Sequence, residues 1–305
     1  FLKKHKSKDK LNFHFHPYST YGESHKNASL YFRNDNLYQI LCRRIIDHNW
    51  FPTANRAGFH VERPDSHWFL EQYIPFDLSN TNQKSNKKKS INDSISASGW
   101  DWRRATTEWK IYKPSHDDYQ VPGNCRRYIG RVLSINNRVE SINIKEVLKA
   151  FERANSGKKT LLAVTSHDHR NFISEIEEFT NYIKQASKKY PKVKFYYVDT
   201  AEGFRKTLRM KNPSSKKLKL DIIRLKNNSF KIIAKRGKVF GPQPFLAIKF
   251  KNGRYFHDNL DFGLVKNEWF YTLNEHTIKP KDVKYFAVGA SDEKGNFHVK
   301  KISLN

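Results

Sequence analysis

The chain has 305 residues, with 57 Lys+Arg against 30 Asp+Glu, a formal net charge of +27, and 14% aromatic residues. That aromatic content excludes a largely disordered chain, the lack of any run of about 18 apolar residues excludes a transmembrane helix, and two cysteines exclude a disulfide framework. The positive charge is mostly lysine, spread over both halves, and comes without zinc-finger, RNP or basic-heptad spacing, so it reads as solvated surface and not as a specific nucleic-acid interface.

The chain begins at Phe1 with no apolar signal core behind it and is read as lacking its true N-terminus, which leaves the compartment open between cytoplasm and cell envelope. Residues 35–49 read as an amphipathic helix, with Leu37, Ile40, Leu41 and Ile45 at helical spacing and Asp35 as N-cap. A short helix over 65–73 follows Pro64, then a strand over 74–78, then a polar loop over 79–98. Residues 144–154 and 172–189 read as helices, the second with Ile173, Ile176, Phe179 and Ile183 as its stripe. Between them TLLAVT (160–165) reads as a buried strand; VKFYYV (193–198) reads as another, followed by a helix over 200–208. Alternating strands and helices argue for α/β architecture with a largely parallel sheet.

Beyond Leu208 the pattern changes. Residues 209–217 read as a linker, and seven short β-type runs follow, from LKLDIIRL to NFHVKKIS, with turns at Asn252-Gly253 and Lys294-Gly295-Asn296. This spacing predicts a small antiparallel sandwich over 218–305. Cys42 and Cys125 are read as two reduced thiols.

Ten of the 13 histidines fall within residues 1–170, and they are grouped. In Asn12-Phe13-His14-Phe15-His16-Pro17, strand alternation places Phe13 and Phe15 on one face and His14 and His16 on the other. Two imidazoles so placed can share a divalent cation, or stand as two exposed histidines on an edge strand. Ser166-His167-Asp168-His169 lies directly after TLLAVT, where ligands of parallel α/β sheets bind. A histidine beside a carboxylate there can act as a general acid. A third stretch carries Arg56, His60, Arg63 and His67, and Arg56 could hold a carboxylate as a bidentate pair. A fourth, Ser115-His116-Asp117-Asp118-Tyr119, lies near Trp100, Trp102 and Trp109, whose rings could stack on sugars or simply pack the loop.

Taken together these groups resemble the polysaccharide deacetylase family, the carbohydrate esterases built on the NodB-type domain. His14-x-His16-Pro17 resembles the family's two-histidine motif, with one intervening residue in place of the usual three; Arg56-Ala57-Gly58, Asp77 in Pro75-Phe76-Asp77, and His167 resemble its later motifs. GFHVERPDSHWFLEQYIPFD and PSHDDYQVPGNCRR look like a bacterial branch of deacetylase-like proteins. The resemblance covers about residues 11–208 and implies an incomplete or distorted (β/α) barrel of NodB type, followed by the sandwich as an accessory domain.

The resemblance further implies a metal-dependent hydrolase that removes N- or O-acetyl groups from an acetylated polysaccharide or oligosaccharide. A divalent ion, zinc, would be held by His14, His16 and an Asp upstream of them. The family's Asp pair has no counterpart in residues 1–11 beyond Asp9. His167 would protonate the leaving group with Asp168 or Asp77 keeping it charged, Arg56 would orient the base, and His60, Arg63, Trp102, His116, Asp117 and Tyr119 would position the sugar. Two other readings stand beside it: a non-catalytic glycan-binding protein on a degenerate esterase fold, and an HxH-type phosphoesterase or amidohydrolase.

Overall fold

A computed structural model describes residues 10–16, 31–82, 102–136, 141–167 and 172–304. Its first half is built on a parallel sheet of β1 (Ala54–Asn55), β2 (Phe76–Asn80), β3 (Tyr128–Ser134) and β4 (Ala163–Thr165), in that order. Phe13 bridges to Asn55 in parallel, so the N-terminal segment extends the sheet beyond β1. The helices are α1 (Asp35–His48), α2 (Pro64–Tyr73), α3 (Ile144–Asn155), α4 (Ile173–Lys189) and α5 (Thr200–Leu208).

The sheet is curled into a half-barrel. Strands lie about 4.8 Å apart, so a flat sheet would hold the Phe13 segment and β4, at opposite edges, roughly 19 Å from each other. Instead the charge of His167, just past β4, is felt at His14. Asn12 also donates to Thr200 Oγ1 (3.1 Å), tying the first edge to the start of α5. The face formed by Ala54, Phe76 and Leu78 packs on Phe204 of α5, with the Phe76 and Phe204 rings stacked at 4.6 Å.

The second half is an antiparallel sandwich. One sheet runs β5 (Lys219–Arg224), β6 (Ser229–Arg236), β10 (Glu268–Thr272), β9 (Asp261–Phe262); the other runs β12 (Phe297–Ser303), β11 (Val283–Ser291), β7 (Phe245–Phe250), β8 (Tyr255–Asp258). Phe230 and Phe286 stack at 4.5 Å in the core between them. The second sheet is buried on both sides. Leu246, Ile248 and Val288 face the sister sheet, whereas Phe245, Ala247 and Ala287 face Leu37, Leu41 and Ile45 of α1. Those three α1 side chains are fully enclosed, contributing about 1.5–3 kcal/mol apiece. The sandwich and the helices in front of it therefore share one core. Ser291 Oγ–H donates to Tyr73 O (2.7 Å) and Lys301 to Ile46 O (2.8 Å) across the same junction.

Several expectations change. Asn34, not Asp35, caps α1, its side chain accepting from the Leu37 N–H. Only 163–165 of TLLAVT pairs as a strand, and it is half-buried. VKFYYV joins no sheet among the described residues, with Tyr196 and Tyr197 each 71% exposed. Ile173 and Ile176 of α4 face solvent; only Ile183 of the expected stripe is buried. Cys42 and Cys125 are both free and buried. Among the described residues no helix is long and apolar enough to cross a membrane.

Candidate functional site

The N-terminal segment is held by a short parallel ladder. Phe13 N–H donates to Ala54 O (2.8 Å), Arg56 N–H to Phe13 O (3.0 Å) and Gly58 N–H to Phe15 O (2.9 Å). A Cβ on Gly58 would lie 2.4 Å from Phe15 O and 2.8 Å from His16 Cα, so only glycine permits this approach. Alternation then does what the pattern implies: Phe13 and Phe15 are buried and His14 and His16 face out.

The two imidazoles converge. His14 Nδ1–H donates to Arg56 O (2.7 Å), which leaves Nε2 as an acceptor; His16 Nε2 lies 2.7 Å from it, with the rings nearly perpendicular. The Arg56 guanidinium lies against His14, Nη1 being 3.4 Å from Nδ1, and its Nη2 donates to His60 Nε2 (3.0 Å). His60 is buried and holds a left-handed backbone, φ 57°, a conformation that costs a non-glycine residue energy. Burial, then the charge of Arg56, drives the His60 imidazole well below its ordinary range, and His14, His167 and His16 push the same way. Burial likewise lowers His14, with Arg56 and His167 adding to it against the bond to the Arg56 carbonyl. Burial lowers Arg56 itself to about 10. His14, His16, His60 and Arg56 are thus in contact beside the end of β1, and His167, just past β4, lies within electrostatic reach of His14 and His60. Ser166 Oγ–H, beside His167, donates to Glu175 (2.6 Å) and ties this strand end to α4. Asp168 lies outside the described residues.

Asp77 belongs elsewhere, which corrects its expected place beside His167. Asn55 and Asp77 are in register, and Asn55 Nδ2 donates to Asp77 Oδ2 (2.5 Å). Alternation puts them on the face opposite Ala54 and Arg56. There Arg127 makes a bidentate pair with Glu62 (2.7 and 3.0 Å) and reaches Asp77 Oδ2 (3.1 Å), all three fully buried. One cation faces two carboxylates, so burial and the Glu62 charge push Asp77 up to about 7. His67 accepts from Arg127 at Nδ1 (3.0 Å) and donates from Nε2 to Ser115 O (2.8 Å); burial first, then Arg127, lowers it to about 4. Arg56, expected to hold a carboxylate, has the imidazoles of His14 and His60 as its side-chain partners among the described residues.

The expected sugar contacts divide. Trp102 and Tyr119 are buried and pack edge to face at 4.9 Å, with Trp102 Nε1–H donating to His60 O (2.7 Å), so their rings support the loop and offer no open stacking face. Trp109 is fully buried as well. Arg63 caps α2 through its backbone and Ser66. His116 and Asp117 face solvent, and His116 Nδ1 pairs with Glu71 Oε2 (2.6 Å). Sequence reasoning missed Trp68, whose Nε1–H donates to His116 O (2.9 Å) and whose half-open ring stacks on His116 at 6.1 Å.

It also missed Arg127. Of the adjacent Arg126 and Arg127, the first is exposed and the second fully buried. Their position just ahead of an apolar strand was the available signal: alternation turns one of two adjacent side chains inward. No family model matches the chain, and no curated protein or solved structure matches it either.

Proposed function

We propose that the chain is a metal-dependent hydrolase that removes acetyl groups from a glycan, working at the mouth formed by His14, His16, His60, His167 and Arg56. The observation that carries this reading is the 2.7 Å approach of the His14 and His16 Nε2 atoms, with His14 fixed by the Arg56 carbonyl. A carbonyl bond at the other ring nitrogen is the usual support of a metal-binding imidazole, and burial keeps His14 in the neutral, ligating form. The two nitrogens, now at hydrogen-bond distance, would have to part by about 0.6 Å to take two adjacent positions of a tetrahedral zinc-type ion. The described residues hold no group of three such side chains, so the remaining ligands would come from outside them or from water. When bound, the ion would polarise the acyl carbonyl and make its water acidic enough to attack near neutral pH.

The chain's own residues take the other parts. His167, just past the end of β4, would donate a proton to the departing amine or alcohol oxygen. Arg56, held against His14 and His60, would bring its positive charge to the developing oxyanion. Trp68, stacked on His116, offers a sugar platform at the surface.

Acetate release from N-acetylated chito-oligosaccharides tests the reading. Release that needs zinc and stops with a chelator is expected; no release with zinc supplied overturns it. A second reading, a glycan-binding protein without turnover, is favoured by the Arg56 guanidinium lying against the His14 ring, where it competes with a cation. Oligosaccharide binding with no acetate released would select it.

A further inference from the structure

A separate cavity of about 440 Å³ opens where the half-barrel meets the sandwich. Its wall carries Lys113 and Arg126 from the half-barrel side and Lys216, Arg236, Lys238 and Lys294 from the sandwich side. Six of its 13 lining residues are cationic.

Two carboxylates, Asp292 and Glu293, also line it, which leaves an excess of four positive charges. Asp292 accepts from its own turn, from the N–H groups of Lys294 and Asn296 (2.9 Å each) and from Asn296 Nδ2 (2.8 Å). Of the six cations only Arg126 has a carboxylate of the described residues near it, Glu71 at 3.9 Å.

The walls are fixed. Arg205 donates to Lys294 O (3.0 Å), Asn212 and Asn296 bond reciprocally (3.0 and 2.8 Å), and Phe240 N–H donates to Ser291 O (2.9 Å). A Cβ on Gly241 would sit 1.6 Å from Gln72 O, so the two halves cannot part here without breaking close packing. Val239 and Phe240 make a buried apolar floor beneath the cationic rim. Held like charges repel unless an anion joins them.

From this arrangement we infer that the junction cavity binds a small phosphate ester, with the phosphoryl group on the Lys/Arg rim and the organic part on the Val239–Phe240 floor. The volume is that of a small-molecule site and is far larger than a lone phosphate needs. The inference is independent of the histidine site.

Titration calorimetry on the full chain with glucose 1-phosphate, inorganic phosphate and glucose tests it. Saturable binding of the ester is expected at about 1 mM or tighter, weakened about tenfold or more by the triple change Lys216→Glu, Lys238→Glu, Lys294→Glu. The same charge change at Lys226, Lys251 and Lys266, on exposed positions elsewhere in the sandwich, should leave it intact. Equal weakening by both triples reduces the effect to net charge and overturns the site. Glucose binding as tightly as the ester overturns the phosphoryl assignment, and inorganic phosphate doing so overturns the ester. No saturation by any of the three overturns the whole inference.

Discussion

Asn55 and Arg56 are consecutive, yet they serve opposite faces of the half-barrel. Asn55 Nδ2 reaches Asp77 (2.5 Å) in a sealed network, whereas Arg56 lies against His14 and His60 at the open mouth. The period of two along a strand separates the ionic core from the candidate chemistry over a single peptide bond. The two faces make distinct predictions.

At the mouth, His16→Ala removes one of two converging nitrogens. His16 is exposed, so the melting temperature should hold within a few degrees. Zinc affinity should fall by at least 10–100-fold, the approximate loss that follows damage to a ligand's mere support. Equilibrium dialysis against buffered zinc checks this; unchanged affinity removes the pair from any metal site.

Gly58→Ala tests the same site through the backbone. The new Cβ would meet Phe15 O at 2.4 Å, and neither partner is a flexible side chain end. The ladder between 13–15 and 54–58 must open. A loss of about 1–3 kcal/mol is expected, the range for forced overpacking, together with loss of acetate release. Denaturant unfolding reads the first effect. A variant of unaltered stability and activity would mean that the segment does not need this approach.

Much of this was legible locally. The Phe-His-Phe-His alternation placed four side chains correctly because a strand's period is independent of its surroundings. The seven β-runs of the sandwich were legible for the same reason, and FLAIKF is apolar throughout because its sheet is covered on both sides. VKFYYV failed because β-propensity needs a partner edge: its residues have strand character, yet the segment pairs with no strand among the described residues. The Arg127–Glu62–Asp77 network was not legible because it joins residues 62, 77 and 127, and long-range charge pairing leaves no local spacing.

Trp68→Ala tests the sugar platform. Its ring is 38% exposed and stacks on His116, so it can be removed without emptying the core. Stacking of this kind is worth about 0.5–1.5 kcal/mol. KM for a chito-oligosaccharide should therefore rise roughly 2–12-fold while kcat holds. A fall in kcat with KM unchanged would place Trp68 in support of the loop instead.

Asp77→Asn tests the sealed face, and its sign depends on pH. Asp77 has its pKa raised from 3.8 to about 7, by burial and then by Glu62. The folded chain therefore keeps a proton that the unfolded chain releases. This contribution to stability is complete below 3.8 and is lost as pH rises through about 7. Asn carries no charge to bury, so the variant escapes that loss. Relative to the parent it should gain ~2–3 kcal/mol between pH 5 and pH 8. Any constant cost of misplacing an amide against Asn55 and Arg127 cancels in this difference. His67 works in the opposite direction: its pKa is lowered from 6.5 to about 4, so the folded chain refuses a proton that the unfolded chain accepts, and stability falls on acidification. In the parent the Asp77 slope opposes that of His67 and of the other lowered imidazoles, His14, His60, His257 and His298; in the variant the imidazoles act without that opposition. Urea unfolding at pH 5 and pH 8 measures both. If the gap between variant and parent is the same at the two pH values, Asp77 and Glu62 do not share a buried proton over the Arg127 guanidinium.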